Sequence, residues 1–574
     1  MRSFIVPLLL LASGARSSAL HRPRENTWGS TGQSPDSPTV ELANGAYYGL
    51  YKPAYDQDEF LGIPYAQPPL GDLRLAPPQP LNETWDSPRN ATEYSPQCFG
   101  YGSDTWILGN YVSEDCLTIN VVRPHGLSPD AQLPVAVWIH GGGLRNGGSS
   151  DPRYNLTFIV EQSVKMGSPI VATSINYRLA GWGFLWSDEV KEAGAGNLGF
   201  RDQRLALEWV QENIRAFGGD PEKVTIWGES GGARSVARQL IAYGGRDDGL
   251  FRAAILESGT GLETEFGEVE TDGDVDQAYY DAVVEKAGCA DSEDSLQCLR
   301  GLDAWTLSDI FNTTESPSFG GVVDGEFLTQ RPSDLVRAGK VVPVPILIGA
   351  NFDEGTQFAE RGINTTEEWV GVLTSAGADD VTVEVLSALY PDIPRVGLPA
   401  TLQGRPSGDK AFYGDQWKRV VAFSGDLRQH APRRWWARQW AGLDLAAYSY
   451  HFNVLVNGMD AEQGASHFQE VAFVFNNVDG LGYGNAVSEK PFEGMPETFI
   501  ELADVMSRMW VSFIATTDPN YDASPVSWPA YSLDEPQNAV FDVNVSSLAY
   551  VEDDTYRTEQ IEYFINKLWD QEDQ

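Results

Sequence analysis

Val224-Thr225-Ile226-Trp227-Gly228-Glu229-Ser230-Gly231-Gly232 is the stretch on which the reading of this chain turns. A short run rich in β-branched residues reads as a strand. It ends in Gly-x-Ser-x-Gly and passes into a helix-like segment, the pattern of a nucleophile elbow. A serine on so sharp a strand-to-helix turn adopts an unfavourable backbone conformation that pushes its hydroxyl into the open. Side chains two residues to either side would collide with the turn, hence the glycines. The following helix aims its free N–H groups at the reacting centre. Taken alone, the motif competes with a glycine-rich turn holding an ordinary serine.

It does not stand alone. His140-Gly141-Gly142-Gly143 follows the apolar run Val135 to Ile139. Glycines in such a loop let backbone N–H groups converge on one point, where they stabilise the negative oxygen of a tetrahedral intermediate. A second pair, Gly147 and Gly148, keeps a merely flexible loop as the alternative, but the order of the two motifs favours an oxyanion loop. Serine also needs a base, and the chain has only six histidines. His21 is near the terminus, His125 sits in a Pro-His-Gly turn, His140 opens the glycine loop, and His430 lies in a basic helical stretch. His451 sits in an alternating, strand-like run. His467 falls in Gly464-Ala465-Ser466-His467-Phe468-Gln469-Glu470, a loop before the apolar segment Val471 to Phe475, and is the candidate base. For an orienting acid, Asp353 and Glu354 follow the strand-like run Val344 to Ile348, where a carboxylate points into the crevice at the carboxyl end of an α/β sheet. Local chemistry does not separate the two.

The chain resembles the type B carboxylesterases, the family of cholinesterases and fungal lipases, along nearly its whole length. The resemblance rests on Gly62-Ile63-Pro64-Tyr65-Ala66-Gln67-Pro68-Pro69-Leu70-Gly71-Asp72-Leu73-Arg74, Glu114-Asp115-Cys116-Leu117-Thr118-Ile119-Asn120, Asn176-Tyr177-Arg178-Leu179, Gly218-Gly219-Asp220-Pro221, Asp518-Pro519-Asn520 and Trp528-Pro529. It implies an α/β-hydrolase fold and a serine ester hydrolase without a cofactor, acting on a small carboxylic ester; a lipase and a non-catalytic adhesion protein on the same fold are the alternatives, the second opposed by the presence of Ser230, Glu354 and His467. It places the nucleophile on Ser230, the acid on Glu354, the base on His467, and the oxyanion donors on Gly142, Gly143 and Gly231. Alanine is usual in the family where Gly231 stands here. The disulfides it implies are Cys98 with Cys116 and Cys289 with Cys298, leaving no cysteine for a covalent dimer; the oligomeric state is otherwise unmarked. Its lipases carry a long loop between the first two cysteines as a lid. The loop here is short, which favours soluble esters over interfacial lipids. Trp106 in that loop is a substrate-pocket candidate, by analogy with the choline-contacting tryptophan of cholinesterases; packing against its own loop is the alternative.

A length of 574 residues suggests several domains, but the motifs span most of the chain, so one catalytic domain over 20–574 is expected. Short apolar runs at 135–140, 170–176, 224–228, 253–257, 344–348 and 446–452 alternate with helical periodicity. Leu205, Trp209, Val210 and Ile214 share one face of a helix over about 201–215. The pattern predicts an α/β class with a large, mostly parallel sheet flanked by helices, and a helical cap over about 356–445. Residues 1–19 read as an export signal, with Arg2, an apolar stretch from Phe4 to Ala12, and cleavage after Ala15 or Ala19. The run is too short to span a bilayer, so a secreted, extracellular protein without a stable membrane anchor is expected. Six glycosylation sequons, at Asn82, Asn90, Asn155, Asn312, Asn364 and Asn544, agree. A formal net charge of −41 argues against nucleic acid and anionic membranes as partners. Its acids are dispersed. No metal-ligand cluster stands out: histidine is scarce, and Asp56, Asp58 and Glu59 lack the spacing of a calcium loop.

Overall fold

The computed structural model describes residues 37–570, apart from 263, 265, 267–272 and 317–318. The expected export segment, 1–19, lies outside the described residues. Eleven strands form one sheet: β1 (Leu50–Lys52), β2 (Gln57–Pro64), β3 (Thr118–Pro124), β4 (Leu133–Ile139), β5 (Val171–Ile175), β6 (Gly219–Glu229), β7 (Ala253–Glu257), β8 (Ile346–Asn351), β9 (Ala447–Phe452), β10 (Gln537–Phe541) and β11 (Ala549–Asp553). Their spatial order is β11-β10-β9-β8-β7-β6-β4-β5-β3-β2-β1. The six neighbour pairings from β5 through β10 are parallel. The four at the edges are antiparallel. The sheet is therefore mixed, with a parallel centre.

Alternation along the strands shows why the apolar runs are continuous. In β4, β6, β7 and β8, Val137, Ile139, Ile226, Leu256 and Ile348 enter one buried cluster. Trp138, Trp227, Ile255 and Leu347 enter another. With a side-chain period of two, these are the two faces of the sheet, and both are covered by helices. Helix α1 (Leu198–Asn213) begins three residues before the position expected from periodicity. It buries Leu205, Trp209 and Val210, while Ile214 starts a tight turn, Ile214–Phe217. Helix α2 (Gly231–Gly245) starts at the elbow and loses helical geometry at Ala242–Gly244. On the other face, the helix Thr498–Thr516 buries Met506, Met509 and Trp510.

The strongest motifs meet each other in space. Arg74 of the first forms a two-pronged pair with Glu114 of the second, Nε to Oε1 at 2.6 Å and Nη2 to Oε2 at 2.8 Å. Arg178 grips Asp202 in the same way, fully buried. Both expected disulfides are formed, Cys98–Cys116 and Cys289–Cys298.

Residues 356–445 divide in two. An excursion bearing helices Thr366–Ser375 and Asp380–Leu389 leaves and returns through a neck. There Gly362 N donates to Tyr413 O (2.9 Å) and Gln416 N to Ile363 O (2.9 Å). Past the neck the chain turns back to the sheet. The helix Trp417–Gly425 lies against the loop after β8, where a side chain on Gly355 would fall 1.9 Å from Val421 O. Helix α3 (Ala431–Gly442) packs on β8 and β9, with Arg433 Nη1 donating to Ser449 Oγ at 2.6 Å and Trp440 Nε1 to Val344 O at 2.8 Å. The second half of the stretch expected as cap is thus a supporting layer of the sheet. It reads as cap because its helical signal is no different from that of an insertion.

Of the sequons, Asn82, Asn312, Asn364 and Asn544 are exposed. Asn90 and Asn155 are half-buried, and the Asn155 side chain caps the helix Leu156–Lys165 by accepting from Thr157 N. No helix among the described residues is long and apolar enough to cross a membrane.

Candidate active site

Ser230 follows directly on β6 with φ 56° and ψ −119°, a strained conformation for a residue with a side chain. The flanking glycines have steric causes. A Cβ on Gly232 would lie 2.0 Å from Ile139 O, and one on Gly228 would lie 2.4 Å from the Gly232 carbonyl carbon. The elbow is wedged against the end of β4, which carries the glycine loop into the same place. Gly142 and Gly143 take φ 96° and 66°, open only to glycine at little cost. Tyr177 OH donates to His140 O (2.7 Å) and the Tyr177 ring stacks on the imidazole at 4.5 Å. Burial pushes His140 down to about 4, so it is a neutral structural group.

A Cβ on Gly231 would stand 2.9 Å from Gly143 N and 3.0 Å from Leu144 N. The first residue of α2 and the glycine loop are therefore in close apposition. Gly231→Ala should push the loop away. We expect kcat on a soluble ester to fall about 10-fold, short of the roughly 10²–10³ of losing an oxyanion donor outright. The melting temperature should fall slightly, since backbone and not a flexible side chain must give way to the methyl group. An unchanged kcat would show that the loop absorbs the methyl group without consequence.

Glu354 and His467 are brought together from 113 residues apart: His467 Nδ1 stands 2.6 Å from Glu354 Oε2. Asp353, the competing acid, faces elsewhere. Its Oδ2 accepts from Ala465 N at 2.8 Å and its N–H donates to Ala465 O at 3.0 Å. It ties the loop after β8 to the histidine loop. Burial raises Asp353 to about 7, while burial also works to raise Glu354 but is outweighed by His467, Ser258 and Asn351 N–H, which pull it below its ordinary value. Burial opposes the charge on His467, and the Glu229 and Glu354 carboxylates overcome it, raising its pKa.

Further groups surround the expected residues, of which Glu229, the residue before Ser230, reads in the sequence as a buried structural carboxylate. Glu229 Oε1 lies 3.2 Å from His467 Nε2, at 1% exposure. Burial pushes its carboxyl well above the carboxylate range, against the pull of His467. Glu470 accepts from Asn351 Nδ2 (2.5 Å) and Ser258 Oγ (3.2 Å), and burial raises it to about 7. Glu257 accepts from the Trp227 and Trp510 indoles, and burial likewise raises it well above the carboxylate range. Phe358 meets the His467 ring edge-on at 4.9 Å. Ser258, with φ 54°, sits just past the end of β7. Its place in Glu257-Ser258-Gly259 after an apolar run is the signal that could have found it.

Ser230, Gly142, Gly143, Glu229 and His467 line one cavity of about 440 Å³, together with Phe358, Phe468 and Tyr483. The Cys98–Cys116 loop contributes Ser103 and Asp104 to its wall. Arg153 Nη2 holds Asp104 at 3.0 Å. Trp106, the pocket candidate, does not line the cavity: it is 45% exposed and stacks on Tyr101 of its own loop at 6.4 Å. The short loop turns through Ser103–Ile107, which points the tryptophan outward. Among the described residues no group of three or more His, Cys, Asp or Glu side chains is arranged to hold a metal ion.

Residues 36–564 match the model of the carboxylesterase family. The chain belongs to that family. Carboxylesterase-family relatives include "Lipase 4" of Diutina rugosa, 35% identical over 91% of this chain and 94% of that protein, and the cholinesterase of Mus musculus, 34% identical over 83% and 78%. Among solved structures, Aspergillus niger EstA aligns with a TM-score of 0.76 at 28% identity, covering 93% of this chain and 99% of that one. The fold is the α/β-hydrolase fold of this family, and the chain is a carboxylic ester hydrolase.

Proposed function

We propose that this carboxylesterase-family chain is a secreted hydrolase of soluble carboxylic esters, working through an acyl-enzyme on Ser230. The observation that carries the reading is the 2.6 Å contact between His467 Nδ1 and Glu354 Oε2 in the cavity that also holds Ser230 and the glycine loop. His467 Nε2 takes the Ser230 proton as Oγ attacks the ester carbonyl. The N–H groups of Gly142, Gly143 and Gly231 hold the oxyanion, and Glu354 stabilises the imidazolium. His467 then gives its proton to the departing alcohol. Water, deprotonated by the same imidazole, releases the acid and regenerates Ser230. Glu229, buried beside the imidazole, is a structural neighbour and not a second base. Secretion rests on the N-terminal segment and on relatives such as the "Secreted triacylglycerol lipase LIP1" of Gibberella zeae, 36% identical over 72% of this chain. The domain is a single one over 20–574, and Asn82, Asn312, Asn364 and Asn544 are the sequons best placed for glycans. A fluorophosphonate probe followed by peptide mapping tests the nucleophile: label anywhere but Ser230 defeats this mechanism.

A lipase reading is favoured by one feature. Trp106, Ile107 and Tyr111 stand exposed on the Cys98–Cys116 loop, as apolar anchors for a lipid surface would. Several relatives, Lipase 4 among them, are named lipases. Against it, the loop is short, with a sequence separation of 18 between its cysteines. Its tip is pinned by Arg153, so little is left to open. The rate on tributyrin is therefore expected to saturate smoothly across the solubility limit. A sharp rise at the emulsion boundary would reverse the preference.

A further inference from the structure

We propose that the alcohol side of the cavity is built for a polyhydroxylated alcohol, a sugar unit carrying the ester, and not for an alkyl or acylglycerol chain. This rests on the hydrolase reading above. The leaving oxygen must meet His467 Nε2 to be protonated. The rest of the alcohol therefore lies against the walls beside that histidine, residues 457–469 and 483–489.

Those walls carry carboxamides in a particular state. Asn457 Nδ2 donates to Lys490 O at 3.0 Å, Gln463 Oε1 accepts from Asp460 N at 3.2 Å, and Gln469 Nε2 donates to His467 O at 3.3 Å. Each amide is held by one half, leaving the carbonyls of Asn457 and Gln469 and the NH₂ of Gln463 for a ligand in the same cavity. Two fixed acceptors and a fixed donor suit a ligand whose neighbouring hydroxyls both give and accept. In the same wall the Tyr483 hydroxyl is buried without a hydrogen-bond partner.

Phe468 supplies the flat surface that the apolar face of a sugar ring needs. Its backbone is strained at φ 74°, unusual for an aromatic residue, and the Arg153 guanidinium lies 4.8 Å from its ring centroid. Strain of this kind persists where surrounding structure enforces it, often at ligand clamps. An alkyl alcohol would cover the same amides and leave them unpaired. A site built to hydrogen-bond hydroxyls rejects an analogue that lacks them. A cavity of about 440 Å³ has room for such a ring beside the reacting ester.

The test compares 6-O-butyrylglucose with hexyl butyrate, which share an acyl group. The expected kcat/KM ratio favours the sugar ester by about 10²-fold or more. In the double variant Gln463→Leu with Gln469→Leu, the ratio should collapse at least 10-fold, through a higher KM for the sugar ester. A wild-type ratio near one or below, or a ratio that survives the double variant, overturns the proposal while leaving the hydrolase reading intact. Hydrolysis of neither ester defeats the hydrolase reading instead. The sugar proposal is then decided by saturation-transfer NMR of methyl glucoside on the wild-type protein: transfer lost in the double variant upholds it, and no transfer overturns it.

Discussion

Ser230→Ala is expected to lower turnover of any soluble ester by about 10⁶-fold, the scale seen when a triad nucleophile is removed. Labelling by a fluorophosphonate should vanish with it. The fold should persist, because the strained φ of 56° belongs to the backbone and the elbow is held by Gly228 and Gly232 against Ile139. The loss is one of chemistry and not of packing. Circular dichroism and melting should match the parent protein. Turnover comparable to the parent would move the nucleophile elsewhere, and the assignments of His467 and Glu354 with it.

Glu354→Gln is the second large expectation, a drop of about 10⁴-fold in kcat by analogy with loss of the orienting acid in a serine triad. The amide keeps the shape but presents a neutral group 2.6 Å from His467 Nδ1. It no longer stabilises the imidazolium and favours the wrong tautomer. The pH profile adds an independent reading. His467 must be neutral to act as base, so kcat/KM rises with pH through its pKa, and Glu354 is one of the carboxylates that raise that pKa. Removing the charge should carry the acid limb to lower pH even as the plateau falls. Asp353→Asn should cost far less turnover, because Asp353 faces Ala465 and not the imidazole. The opposite ranking of the two variants would make Asp353 the working acid.

What the sequence revealed was set by how local its signals are. The elbow, the glycine loop and the parallel centre of the sheet were legible because each is a short motif with its own steric or periodic cause. The edge of the sheet was not. In β2, Gln57, Asp58 and Glu59 are polar yet buried. Asp58 is satisfied by Arg123 and His125, and Glu59 by Lys52 and Thr157. A buried strand thus reads as a charged loop. Choosing Glu354 over Asp353 from the residues alone was out of reach because adjacent carboxylates differ only in which way the turn aims them. Glu470 was hidden for another reason: three residues past His467 it looks like any polar loop residue, and only the fold sets it beside Asn351 and Ser258. The outward turn of Trp106 depends on a five-residue twist of its loop that no pattern announces.

The neck at Gly362–Tyr413 and Ile363–Gln416 bears on how such a chain changes over time. Its ends are fastened to one another, and the helix Trp417–Gly425 anchors the return strand of chain beneath Gly355. Lengthening the chain beyond the neck adds only a slowly growing loop-closure cost, but Thr401 Oγ1 donates to Ala461 O at 2.8 Å and Lys410 pairs with Asp460, so the excursion also braces the loop that carries His467. Changes of length are therefore tolerated best at its outer helices, and least where Thr401 and Lys410 meet residues 460–461.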